Sequence, residues 1–303
     1  MIKTPFLLFF CLFCQSISAQ YQIGIVPRTS PDKKVYQKVG FTEIEIQYGS
    51  PAVKDRQIWG ELVPYSKVWR AGANAATTIE FSSAVKIGGQ NLDSGKYSFF
   101  IIPHEKGDWT IIFNKIHKQW GAFKYDKEQD ILRFNIKPKK VKSNTENLSY
   151  TLQQKNFKEG SIFLNWEFME LEISFQTQYL TEFAKIIEAR AELQPSNIRW
   201  IPYLQGAAHL EEIKDSLELA LIWINKAEEI MDLNTDWNES FYPRVYIEGH
   251  LYWTKAKILA WNKNFKDAMK YVERLKNMEE RSFYTKKNNS EGIDLHFSQW
   301  KKK

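Results

Sequence analysis

The sequence predicts an α+β protein with its two kinds of structure segregated: an antiparallel β-sandwich or jelly-roll-like domain, then a small α-helical bundle. Three observations predict it. Apolar and polar residues alternate up to about residue 175, and beyond it apolar residues recur at helical spacing. Turn residues punctuate the first part at short intervals, as they do in sandwiches of antiparallel strands. Both cysteines, Cys11 and Cys14, fall in an apolar N-terminal run, so the rest of the chain has no disulfide and must rest on its core.

The chain opens with Lys3, an apolar run over 5–14 and a polar-to-small segment that ends at Ala19. This layout predicts a signal peptide over 1–19, because the apolar run is too short to span a bilayer. Cys14 follows Phe13 rather than a small residue, which argues against an acyl anchor. The expected destination is the periplasm or the exterior. No later segment is apolar for long enough to be a membrane helix. Residues 20–36 read as an N-terminal extension, 37–175 as the sandwich and 176–303 as the helical domain.

Strands follow in order. Thr42, Ile44, Ile46 and Tyr48 share one face, with Glu43, Glu45 and Gln47 on the other. The segments 85–87 and 97–102 flank the turn signals Gly88-Gly89 and Asp93-Ser94-Gly95. Residues 109–113, 131–136, 148–152 and 161–175 complete a set of about eight strands, with a turn at Lys158-Glu159-Gly160. In the last strand Ile162, Leu164, Trp166 and Phe168 are in phase, but Met169, Leu171, Ile173 and Phe175 are one residue out. Such a slip predicts a bulge or a change of sheet. The basic run 137–142 reads as a solvated linker.

Helices are predicted at 183–191, 201–213, 217–231, 245–261 and 265–278, with Asp215 as an N-cap and Pro243 in a first turn. Ala208, Ala220 and Ala227 recur as Ala256, Ala268 and Leu275, an incomplete tetratricopeptide-like pattern.

The formal charge of +6 is moderate, and the basic runs lack interleaved aromatic residues, so nucleic acid is not an expected partner. The five histidines stand apart without metal-ligand spacing, and no phosphate cradle, nucleophile elbow or cofactor motif occurs. No metal and no cofactor are predicted.

One block is dense in groups that seek a partner: Tyr48 to Glu80. Trp59, Tyr65 and Trp69, with Trp120 further on, offer flat apolar faces. Lys54, Arg56, Arg70, Asn74 and Gln119 offer charged or amide donors. Together they suit a glycan or a carboxylate-bearing peptide. Arg70 and Asn74 have a structural reading of equal weight, with Arg70 paired to Glu80 or Glu61, and the tryptophans also suit a core. Gly49, Gly60 and Gly72 read as turn glycines.

The block, YGSPAVKDRQIWGELVPYSKVWRAGAN followed by AATTIEF, resembles the core motif of the DUF2911 family. The segments LDSGKYS (92–98), WTIIFNK (109–115) and Gln119-Trp120-Gly121 extend the resemblance over about 37–175, and the helical tail resembles longer members more loosely. The resemblance implies an exported bacterial protein, mostly of Bacteroidetes-type organisms, with no assigned function and no catalytic residues to carry over. Three functions fit these observations. The first is an envelope binding module, its sandwich holding a glycan or peptide and its helices meeting a protein partner. The second is a hydrolase of envelope glycans or peptides using Asp55, Glu61 or Glu80, which requires an acid pair in a cleft. The third is a purely structural envelope protein.

Overall fold

The computed structural model describes residues 27–233, 244–278 and 298–300. The segment 1–19, expected from the sequence to be a signal peptide, with its two cysteines, Pro243, His296 and the terminal lysines lie outside them. The chain divides into two units between Tyr179 and Leu180.

The first unit is two antiparallel sheets. One has six strands in the order β1 (Asp32–Val39), β2 (Thr42–Gly49), β3 (Ala73–Phe81), β6 (Gly95–Ile102), β7 (Trp109–Asn114) and β8 (Asp130–Ile136). The other runs β5 (Gln90–Leu92), β4 (Val85–Ile87), β10 (Glu159–Thr177) and β9 (Lys139–Gln154). Alternation explains the inner faces. Thr42, Ile44, Ile46 and Tyr48 of β2 are all buried while the residues between them are not. Ile46, Phe81, Phe99 and Phe113 meet Ile87, Tyr150, Leu164 and Phe175 in one core between the sheets. Such burial supplies about 25 cal/mol per Å² of apolar surface.

The phase slip in β10 is a bulge. Its pairing with β9 shifts register on both sides of Glu167, which adopts φ +54. Trp166 therefore stays inside, Phe168 turns outward at 46% exposure, and Leu171, Ile173 and Phe175 return to the core. Two strand expectations change. Asp32–Val39, whose residues 32–36 fall in the expected extension, is edge strand β1, paired to β2 along its whole length. Lys139–Lys142, read as linker, opens β9, where Lys139 pairs with Glu170 at 3.4 Å.

A second, smaller cluster lies on the other side of the six-stranded sheet, where Ala76, Phe100 and Ile112 pack under Val68, Ala122 and Tyr125. The segment after β7 is thereby tied to that face.

The second unit holds helices α1 (Tyr179–Glu192), α2 (Trp200–Glu212), α3 (Leu217–Asp232), α4 (Arg244–Trp261) and α5 (Phe265–Lys276). Ala207, Ala220, Trp223, Ile224 and Ala227 form its core, and Ala256, Ala268 and Leu275 are buried as well. The N-cap of α3 is Ser216, left-handed at φ +47, rather than Asp215. Glu228 of α3 takes Lys255, Arg274 (3.1 Å) and the Tyr271 hydroxyl (2.9 Å). Among the described residues no helix is long and apolar enough to cross a membrane.

Candidate functional site

The loop between β2 and β3 closes one end of the sandwich and builds a cavity there. A tight turn places Lys54 and Asp55 at φ +50 and +52. Arg56 holds that turn, donating from Nε to Val53 O (3.0 Å) and from Nη2 to Ala52 O (2.5 Å). The backbone N–H of Lys54 donates to the Glu146 carboxylate at 3.0 Å, which anchors the turn to β9. The chain then pairs Trp69 with Ile101 of β6 before β3 begins. Gly72 is required by close approach rather than by a turn: a Cβ there would lie 2.7 Å from Thr77 Oγ1 and 3.0 Å from Gly49 O.

These connections leave a cavity of ≈ 220 Å³. Lys54, Arg56 and Arg70 stand in its wall with Trp69 and Trp166, and no Asp or Glu is among its lining residues. Trp166 is 1% exposed and comes from the bulge of β10. Trp69 stacks on it with centroids 5.8 Å apart, and Trp59 stands edge-on to both, at 5.7 and 5.8 Å. Trp109 closes the quartet, 4.6 Å from Trp59.

The quartet's hydrogen bonding is uneven. Trp69 Nε1 donates to Gly72 O at 3.2 Å, and Trp109 Nε1 to His104 O at 3.0 Å. The Nε1 groups of Trp59 and Trp166 and the Nε of Arg70 are buried with no hydrogen-bond partner. Burial also pulls the Arg70 guanidinium below its ordinary pKa. Each buried donor without an acceptor costs about 1–3 kcal/mol. Three of them on or beside the wall of one cavity ask for an oxygen-bearing occupant, and the three cations favour an anionic one.

The nine residues singled out from the sequence separate into groups. Lys54, Arg56, Trp69 and Arg70 share this cavity, with Trp59 behind its wall. Tyr65 lies against Gly60, where its ring comes within 2.9 Å of where a Cβ would be. Asn74 is used internally, donating to Ser30 O at 2.8 Å and to Asp32 at 3.3 Å. Gln119 is buried, giving its amide to Ile116 O (2.8 Å) and accepting from the Lys124 N–H (3.2 Å). Trp120 is 54% exposed beneath Arg28. Arg70 is not paired with Glu80, which pairs with Lys96 at 3.3 Å. Sequence reasoning missed Trp166 as a wall residue: its place in an alternating strand marks it as core, and nothing local says its N–H lacks an acceptor.

In a comparison with known families, a model described as a protein of unknown function, DUF2911, matches residues 30–175. No curated protein and no solved structure matches the chain.

Proposed function

We propose that this chain, whose residues 30–175 belong to the DUF2911 family, is an exported cell-envelope binding module that takes a carboxylate-bearing group of a peptide or glycan into the cavity beside Trp166. One observation carries the reading. Arg70 and Trp166, each with a buried N–H that lacks an acceptor, are lining residues of a wall that also holds Lys54 and Arg56. A carboxylate supplies the missing acceptors and neutralises the excess charge, so its binding recovers energy the free protein forgoes. The volume of ≈ 220 Å³ suits one sugar ring or one terminal amino-acid residue. The hydrolase alternative draws no support from this cavity, because an acid pair is needed and Asp55, Glu61 and Glu80 are absent from its lining.

The test is intrinsic tryptophan fluorescence of the mature chain titrated with galacturonic acid, galactose, and one dipeptide with a free or an amidated C-terminus. A saturable change is expected for a carboxylate-bearing ligand and not for its neutral counterpart, and it is expected to vanish in Arg70→Ala. A change that survives that substitution, or equal responses to charged and neutral members, would overturn the assignment.

A further inference from the structure

The six-stranded sheet carries a second concavity, of ≈ 580 Å³, which shares no lining residue with the cavity at the end of the sandwich. Arg28, Lys33, Lys34, Lys96 and Lys118 stand in its wall. They arrive from separate places: the approach to β1, β1 itself, β6 and the segment after β7. Acids answer some of them. Arg28 pairs with Asp32 at 2.8 Å, Lys34 with Glu45 at 2.5 Å, and Lys96 with Glu80 at 3.3 Å. Lys33 and Lys118 are exposed and have no ion pair among the described residues. The wall is thus cationic after every internal pair is counted.

An aromatic face borders it. Trp120 follows the lining residues Lys118 and Gln119 and is 54% exposed, with the Arg28 guanidinium 5.4 Å above its ring. The Trp120 backbone is fixed by a bridge to Ala75 of β3, so the ring is held at the rim rather than swinging on a free loop.

We infer that this concavity is a docking surface for an acidic polysaccharide. The charge complementarity is direct: lysines spaced along a groove match carboxylates spaced along a polymer. An indole face flanked by a guanidinium suits the apolar face of a sugar ring that also bears an acid. A bilayer plane would reach only the rim of a concave site, and an acidic peptide would leave the exposed Trp120 face without a ring to meet. The site uses none of Lys54, Arg56 or Arg70, so it stands or falls apart from the proposal above.

The experiment is affinity electrophoresis of the mature chain through gels containing polygalacturonate, dextran or polyglutamate, with flotation on phosphatidylglycerol vesicles alongside. Retardation is expected in polygalacturonate and in neither other polymer, weakening with salt. The double variant Lys33→Glu/Lys118→Glu is expected to weaken it by about tenfold or more, since two attractions become repulsions. Trp120→Ala is expected to weaken it about threefold or more, given what a stacked ring contributes. Lys142→Glu, an exposed lysine of β9, lowers the net charge at another place and is expected to leave retardation unchanged. Equal loss in Lys142→Glu, equal retardation by polyglutamate, or flotation with the vesicles would overturn the inference. Arg70→Ala is expected to be retarded like the parent chain, which separates this site from the cavity beside Trp166.

Discussion

Arg70 weakens the free protein where it stands. Its Nε is buried without an acceptor, and partial burial pulls its guanidinium below the ordinary pKa. Arg70→Met is therefore expected to stabilise the ligand-free chain by about 1 kcal/mol, read as a higher urea midpoint, while abolishing the fluorescence response. A lower midpoint would mean that the guanidinium serves the fold and would remove its claim to a ligand. Gly88 is the opposite kind of residue: at φ +57 a Cβ would lie 2.3 Å from the Phe134 ring. Gly88→Ala should cost about 2 kcal/mol or more in the same measurement. Lys54, Arg56 and Arg70 were legible as a group because polar side chains crowd one loop between strands. What each one meets was not. Asn74 is consumed by Ser30, 44 positions away, and Gln119 by its own turn. Sequence shows a donor, but an acceptor is supplied by the fold.

Among the elements, β10 was the most legible and β1 the least. A one-residue shift in apolar phase announces either a bulge or a change of sheet, and the structure makes it a bulge at Glu167. Deleting Glu167 leaves Trp166 and Leu171 an even number of residues apart, so a regular strand without the bulge should keep Leu171, Ile173 and Phe175 inside. Cooperative thermal unfolding of the sandwich should then be retained, and exposure of that half by loss of cooperativity would contradict it. Glu167→Gly should be tolerated, since glycine accepts φ +54 without strain. Strand β1 was hidden because most of its residues are exposed on both faces, and β9 began unseen under a run of lysines. Edge strands bury too little to carry an alternation. In the helical unit, Glu228 gathers Lys255, Arg274 and Tyr271 around one carboxylate. Glu228→Gln should destabilise that unit by about 3 kcal/mol, the lower end for a buried pair that loses one partner. Differential scanning calorimetry would report it.

For the molecule as a whole, alkali is the expected weakness. Burial, together with the bond to Asp130, pushes the Tyr125 hydroxyl up to about 12. Burial holds the Tyr150 hydroxyl, bonded to Ala71 O at 2.8 Å, well above its usual range. An unfolded tyrosine loses its proton near pH 10, so above that pH the unfolded chain binds fewer protons than the folded one. This contribution to stability is complete below about pH 10 and is lost as pH rises through about 12. Urea midpoints should fall on that alkaline limb, and Tyr125→Phe should make the fall shallower. The order of strands then helices could be read from the change of period, whereas the second concavity could not. Its cations come from four stretches of chain, and only the pairing of β1, β2, β3 and β6 makes them neighbours. The four indoles have a last consequence, which is spectroscopic. Rings with centroids 4.6–5.8 Å apart couple their electronic transitions, so Trp59, Trp69, Trp109 and Trp166 absorb and emit as a unit. Near-ultraviolet circular dichroism should show the split signal of coupled chromophores. Because two indoles come from the closing loop and one from each sheet, that signal is a native gauge of whether the two layers stay in register.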